Sequence, residues 1–225
     1  DQPGFRVLDV GSWTDAHGDH GHHYAGPPHL TDVVVPAAEP GHAIPHGGVT
    51  TLFDDATVTN PDSADYAGGF LTIVQGSGTA NGSWGVDGVG ATIGGGGAVS
   101  VGGFVIGTVD GAQNGQGGAA LRIDFTTADA TSARVQALLQ ALTYSAPAGL
   151  GDRGFTLTLD DGDGTAGGGD ADATAAFTVS VTPNPPAIAF LGGDLVTYTE
   201  QLGPVALDLG ANATVTDPDS TTFAG

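Results

Sequence analysis

The sequence predicts an all-β protein: a β-sandwich of short strands with one short helix, followed by the first strands of a second, related unit. Three observations predict it. Residues 121–125, 155–159 and 177–181 alternate apolar and polar side chains without a break, the period of a strand with one buried face. The 40 glycines and 13 prolines of the 225-residue chain, with Asn and Asp among them, interrupt the apolar stretches at short intervals and signal turns between many short strands. Residues 56–68, ATVTNPDSADYAG, return at 213–225 as ATVTDPDSTTFAG with nine of thirteen positions identical, which glycine bias alone does not produce and which marks a tandem array.

Residues 1–30 read as an irregular, histidine-rich arm. All seven histidines lie within the first 48 residues, 11–29 show neither a helical nor a strand period, and 32–35 is the first strand-like stretch of the repeat. Within 31–182, taken as one sandwich unit, further strands are expected at 70–74, 99–101 and 104–109. Val135, Leu138, Leu139 and Leu142 stand at i, i+3, i+4 and i+7 behind the capping-type residues Asp129, Thr131 and Ser132, so one amphipathic helix packs on the sandwich. Residues 183–186, PNPP, remove ladder donors and stiffen the backbone, which ends the unit and spaces the next. Beyond this linker, 187–225 opens the second repeat, with strands expected at 188–191, 195–199 and 205–209. Two or three strands alone are marginal in water, so pairing with another copy is expected to cover them.

Charge and residue types narrow the function classes. The chain has 23 aspartates against two glutamates, four arginines, no lysine, no cysteine and a formal charge of −21. Without lysine there is no phosphate-loop lysine and no Schiff-base chemistry, and four arginines cannot neutralise a nucleic acid backbone. Without cysteine there is no thiol catalysis, thiolate zinc or disulfide. No apolar run reaches the roughly 18 residues of a membrane-spanning helix, and such a charge is repelled by anionic lipid, so no membrane insertion is expected. No basic and apolar leader opens the sequence, so Asp1 is expected to be a processed terminus or a fragment boundary. Gly-rich stretches at 94–97 and 115–118 precede strands rather than join strand to helix, which makes them turns and not nucleotide loops. No serine sits in a Gly-x-Ser-x-Gly frame and nothing selects a carboxylate pair, so no enzyme activity is expected.

Two groups of residues could carry chemistry. Aspartate is the residue of turns and of calcium loops. Asn60, Asp62 and Ser63, with their copies Asp217, Asp219 and Ser220, follow strand-like stretches and can direct oxygens at one cation. Asp160, Asp161 and Asp163, with Asp170 and Asp172 behind them, lie between two alternating strands. So dense a set of carboxylates repels itself unless it is solvated or neutralised, and calcium, taking about six to eight oxygens, neutralises it most simply. Separately, His17, His20, His22 and His23 are close enough in sequence for three imidazoles to meet one zinc, nickel or copper ion. A flexible polar stretch explains the same histidines and is the favoured reading, because nothing in the sequence orients the rings.

The succession of a strand, TDPDS at 216–220 and FAG at 223–225, with LTLDDGDG at 157–164, a strand and a Pro-rich linker in the preceding unit, resembles the cadherin-like tandem repeats of large bacterial surface proteins, such as adhesins of type I secretion systems. The resemblance covers about residues 31–225 and implies a Greek-key, cadherin- or immunoglobulin-like sandwich with calcium at the joints between units. Residue by residue it maps Asp217 and Asp219 onto the family's Asp-x-Asp, Asp161 onto the Asp-Gly after the penultimate strand, Asn184 onto the linker asparagine, and Glu39 and Glu200 onto the glutamate near the first strand. Two departures are plain: Asn60 stands in place of the first aspartate of the complete unit, and VTPNPP at 181–186 lacks the acidic residues of the linker motif.

The expectation is therefore an extracellular, bacterial cell-surface protein without enzyme activity, a calcium-stiffened structural and adhesive repeat. Its expected partners are neighbouring repeats or copies of itself, with cell-surface or glycan ligands left open. Alternatives are a fibre subunit that assembles by donating strands from 187–225, and a metal-capturing protein that uses the histidine arm.

Overall fold

A computed structural model describes residues 9–14, 20–24, 42–60, 63–164, 172–190, 192, 195–197, 199, 200, 203–206, 208, 210, 212–220 and 222. In chain order the strands are β1 (Asp9–Thr14), β2 (His20–Tyr24), β3 (His42–Pro45), β4 (Val49–Thr51), β5 (Phe70–Ser77), β6 (Ser83–Val86), β7 (Ala91–Ile93), β8 (Ala98–Val101), β9 (Phe104–Asn114) and β10 (Leu121–Phe125). The helix α1 (Ser132–Ala141) follows, then β11 (Leu142–Ser145), β12 (Gly151–Asp160), β13 (Asp172–Thr182), β14 (Ala187–Ala189) and β15 (Thr214–Thr216).

Eight strands form one sheet in the order β3-β13-β12-β5-β10-β9-β8-β7, and a three-stranded sheet, β4-β11-β6, packs over it. Neighbours in these sheets run antiparallel except β3, which lies parallel to the last four residues of β13. The alternation read from the sequence is the burial pattern observed. Leu121, Ile123 and Phe125 on β10, Phe155, Leu157 and Leu159 on β12, and Phe177, Val179 and Val181 on β13 all point into one core. Aromatic rings join the two layers: Trp84 of β6 meets Phe155 edge-on at 5.4 Å, Tyr144 of β11 meets Phe155 at 5.1 Å, and Phe53 meets Phe177 at 5.1 Å. This is the all-β sandwich that the periodicity predicts.

The helix buries Val135, Leu138, Leu139 and Ala141, with Leu142 buried as the first residue of β11, in the predicted register. No side-chain cap bond is made at its start; Asp129 is instead engaged by Arg134, whose Nη1 donates to the Asp129 carbonyl and carboxylate. The helix also positions the first copy of the repeated motif. Gln136 Oε1 accepts the N–H of Val58 at 3.1 Å and Gln140 Nε2 donates to the Ala56 carbonyl at 2.9 Å, fastening an extended segment that joins no sheet.

One inward position of β12 is polar. Arg153, 1% exposed, donates to Tyr144 Oη at 2.9 Å and to the carbonyls of Ala148 and Gly149, so a guanidinium anchors the turn after β11 with no carboxylate partner among the described residues. The long β12–β13 ladder runs from Gly151 opposite Val181 to Asp160 opposite Asp172. At about 3.3 Å per residue, its two ends lie roughly 30 Å apart. One end is acidic, and the other leads into the linker.

Several expectations are corrected. Residues 195–199 and 205–209, which alternate like strands, are not strands where the structure describes them. The second segment instead pairs β14 with β15, Ala187 opposite Thr216, so the repeated ATVT stretch supplies the strand and the segment closes on itself. The arm, expected to be irregular over 11–29, carries the antiparallel pair β1–β2, held by backbone pairing that an apolar period cannot reveal. The possible strand at 32–35 lies outside the described residues.

Because Trp84 contacts rings from both layers, Trp84→Ala is expected to cost about 3–5 kcal/mol of unfolding free energy, read by urea denaturation followed by circular dichroism.

Candidate functional site at the two ends of the sandwich

The acidic end is assembled by backbone contact before any side chain is considered. Gly69 lies so close to the turn after β12 that a Cβ there would be 2.1 Å from the Asp160 carbonyl oxygen, and Gly162, at φ +80°, would place a Cβ 2.3 Å from the Gly69 nitrogen. Two glycines therefore let the end of the motif nest against the acidic loop. Across this contact Asn60 Nδ2 donates to Asp161 Oδ2 at 3.0 Å. Asn60 Oδ1 accepts the N–H of Ser63 at 3.0 Å, and Asp161 Oδ1 accepts the N–H of Asp163 at 3.2 Å. Asp161 is 3% exposed. Asp160 accepts the N–H of Gly162 at 2.9 Å and stands opposite Asp172 across the ladder, a like-charge pair that strands avoid.

At the opposite end the second copy of the motif meets the linker. Asn184 donates its backbone N–H to Asp219 Oδ2 at 2.6 Å and its Nδ2 to the His46 carbonyl at 2.8 Å, so one asparagine ties the β3–β4 turn of the first unit to the second unit. Asp217 Oδ1 accepts the N–H of Asp219 at 3.3 Å. The Asp219 carboxyl is held below the ordinary carboxylate range, chiefly by a hydrogen bond with the Asp217 side chain, then by the Asn184 N–H, with the charge of His46 adding. The two copies share one turn bond, although only the second copy's ATVT stretch is a strand: Ser63 Oγ donates to the Asp65 carbonyl at 2.8 Å, and Ser220 Oγ donates to the Thr222 carbonyl at 2.6 Å.

The structure thus gathers Asn60, Asp160, Asp161 and Asp163 at one end, and Asn184, Asp217 and Asp219 at the other. Glu200 is exposed on the second segment. Glu39, Asp62 and His17 lie outside the described residues, and His20, His22 and His23 fall on β2. Among the described residues no three His, Cys, Asp or Glu side chains converge as a metal-holding group. His46, which the sequence offered only as one of seven histidines within its first 48 residues, lies at the joint, where its carbonyl accepts from Asn184. Its signal was proximity in the fold and not spacing.

Other aspartates make turns. Asp87 Oδ1 accepts the N–H groups of Val89, Gly90 and Ala91, and these bonds, Val89's first, hold its carboxyl below the ordinary range. Asp208 caps a turn in the same way, and Asp110 accepts the N–H groups of Ala112 and Gln113 where the register shifts within β9.

No protein-family model matches the chain, and no curated protein matches it. Among solved structures, the chain is similar to the T6 backbone pilin of serotype M6 Streptococcus pyogenes, described as having a modular three-domain structure decorated with variable loops and extensions. The match has 10% identity and a TM-score of 0.30, and covers 59% of this chain and 30% of the pilin.

With its pKa depressed in the folded joint, the Asp219 carboxylate contributes stability that is present above its ordinary value of 3.8 and lost as pH falls through the folded value. Hydrogen exchange at the Asn184 amide is therefore expected to stay protected down to about pH 4 and to lose protection below it, at pH values where the sandwich amides remain protected.

Proposed function

We propose that this chain is a structural repeat of an extracellular bacterial surface protein, in which sandwich units follow one another and are stiffened by calcium at their joints. The observation that carries the reading is the bonding of Asn184, in the linker, to the second copy of a motif that the first unit also carries. A repeated element that grips the linker before it is what a head-to-tail array needs, and the opposed ends of the β12–β13 ladder make each unit a spacer.

The joint fits calcium in chemical kind. Asp217, Asp219 and Asn184 offer hard oxygen atoms, with Asp217 Oδ1 accepting the Asp219 N–H, and two carboxylates two residues apart in one turn repel each other once both are ionised. They form part of the roughly six to eight oxygens of a calcium shell. Bound there, the ion would supply the positive charge that lets both carboxylates stay ionised side by side. Asn184 acts independently of any ion: its amide groups orient the linker against the His46 turn and fix the direction in which the second unit leaves the first.

A second reading, assembly of copies into a fibre, is favoured by the apolar surface of the second segment. Ile188, Phe190, Leu195 and Val215 are between 53% and 87% exposed around a pair of three-residue strands. Adjacent units or copies of the chain would cover such a surface.

Limited proteolysis of the 183–186 linker tests the joint. Calcium is expected to slow cleavage several-fold relative to chelator, magnesium to do so poorly because it demands a smaller octahedral shell, and the Asp217→Asn, Asp219→Asn double variant to remove the difference. Equal cleavage in calcium and chelator would refute the calcium-stiffened joint. For the fibre reading, light scattering is expected to show concentration-dependent assembly that Ile188→Asp abolishes while the melting temperature stays unchanged; a parent chain that is monomeric at every concentration would rule it out.

A further inference from the structure

Position 60 is the one place where the two motif copies differ in charge within their Asn/Asp-Pro-Asp-Ser core: asparagine in the complete unit, Asp217 in the next. In the complete unit the residue it faces, Asp161, is 3% exposed, and the described charged residues of its own loop and of the facing strand end are acidic: Asp160 and Asp163 on the loop, and Asp172 across the ladder from Asp160. The arginines that the structure describes are engaged elsewhere. Arg122 pairs with Asp124 at 2.7 Å, Arg134 with Asp129 at 3.2 Å, and Arg153 is buried at the linker end. A buried carboxylate with no cation beside it must be satisfied by neutral donors or leave the charged state.

We infer that Asn60 takes the place of a counter-ion, so that the acidic end of this unit closes without a metal, and that residue 60 and its equivalents decide which joints of the array depend on a cation. Both faces of the Asn60 amide are used. Nδ2 donates to Asp161 and Oδ1 accepts from Ser63. An aspartate at this position can still accept from Ser63 but cannot donate to Asp161, and it sets one carboxylate against another that is already buried. The pairing of Asn60 with Asp161 stands on its own geometry; the statement about other joints rests on the proposed calcium-stiffened array.

The test is thermal melting of the full chain from pH 4 to pH 8, in calcium and in chelator, for Asn60→Asp, Asn60→Ala and the exchange Asn60→Asp with Asp161→Asn. At pH 7 in chelator, Asn60→Asp is expected to lower the melting temperature by about 6–12 °C. Crowding two carboxylates raises a folded-state pKa, so this deficit shrinks as pH falls through that value, and calcium reduces it at pH 7. Asn60→Ala takes a donor from the Asp161 carboxylate without adding a second carboxylate, so its deficit is smaller than that of Asn60→Asp, shrinks less as pH falls and is little changed by calcium. The exchanged pair restores one amide facing one carboxylate, with the amide oxygen introduced at position 161 still able to accept the N–H of Asp163, and is expected to melt within about 2 °C of the parent. Should Asn60→Asp fail to fold at pH 7, the exchange decides the matter. An exchange no more stable than the single aspartate, or Asn60→Asp matching Asn60→Ala at every pH, would overturn the inference. Proteolysis of the 183–186 linker reports on the other joint, so loss of the calcium effect there leaves the Asn60 result standing, and the reverse also holds.

Discussion

A chain with 25 carboxylates and four arginines has to satisfy its acids with N–H groups, and the architecture follows from that constraint. Backbone amides a few residues on take Asp87, Asp110 and Asp208. Side-chain amides take the cases the turns cannot reach: Asn60 answers Asp161 inside the acidic end. At the joint, Asn184 meets Asp219 with its backbone N–H and uses its side-chain amide to hold the first unit's turn. Arginine is kept for places where its reach or stacking matters, as in Arg122 over the ring of Phe70 and Arg153 beneath the turn after β11. This division fits the dominance of aspartate over glutamate: a short side chain can reach backbone amides two or three residues on, as Asp87, Asp110 and Asp208 do.

The same constraint gives the sandwich its polarity. The ladder of β12 and β13 carries apolar residues along its inward row and ends in facing aspartates. The acidic end remains closed because glycine at 69 and 162 allows two stretches of backbone to touch there. The helix, which covers the core from one side, also holds the motif in line with that end through Gln136 and Gln140. Packing, turn chemistry and electrostatics thus converge on the motif that recurs in the next unit.

The strands over 121–125, 155–159 and 177–181 were legible in the sequence because each alternates buried with more exposed residues, and α1 was legible because Val135, Leu138 and Leu139 repeat at the helical period. Not every short strand was: Ser83–Val86 buries only Trp84, so it leaves no period to read. The opposite failure, at 195–199 and 205–209, shows that alternation is half of what a strand requires; the other half is a partner edge, and in this chain β14 finds it in β15. For the candidate site, the clustering of aspartates near the end of β12 was legible, as was the linker position of Asn184. The meeting of Asn60 with Asp161, 101 residues apart, was not, because it depends on a backbone contact that no local pattern encodes.

The central claim, that a cation acts at the linker joint while the Asn60 end closes without one, is tested most directly by following backbone amide resonances of the full chain during a calcium titration. The account predicts saturable shifts concentrated at Asn184, Asp217, Asp219 and His46, with the amides of Ser63, Gly162 and Asp163 unmoved. Shifts confined to the 160–163 loop, or no saturable shift at the joint, would contradict it.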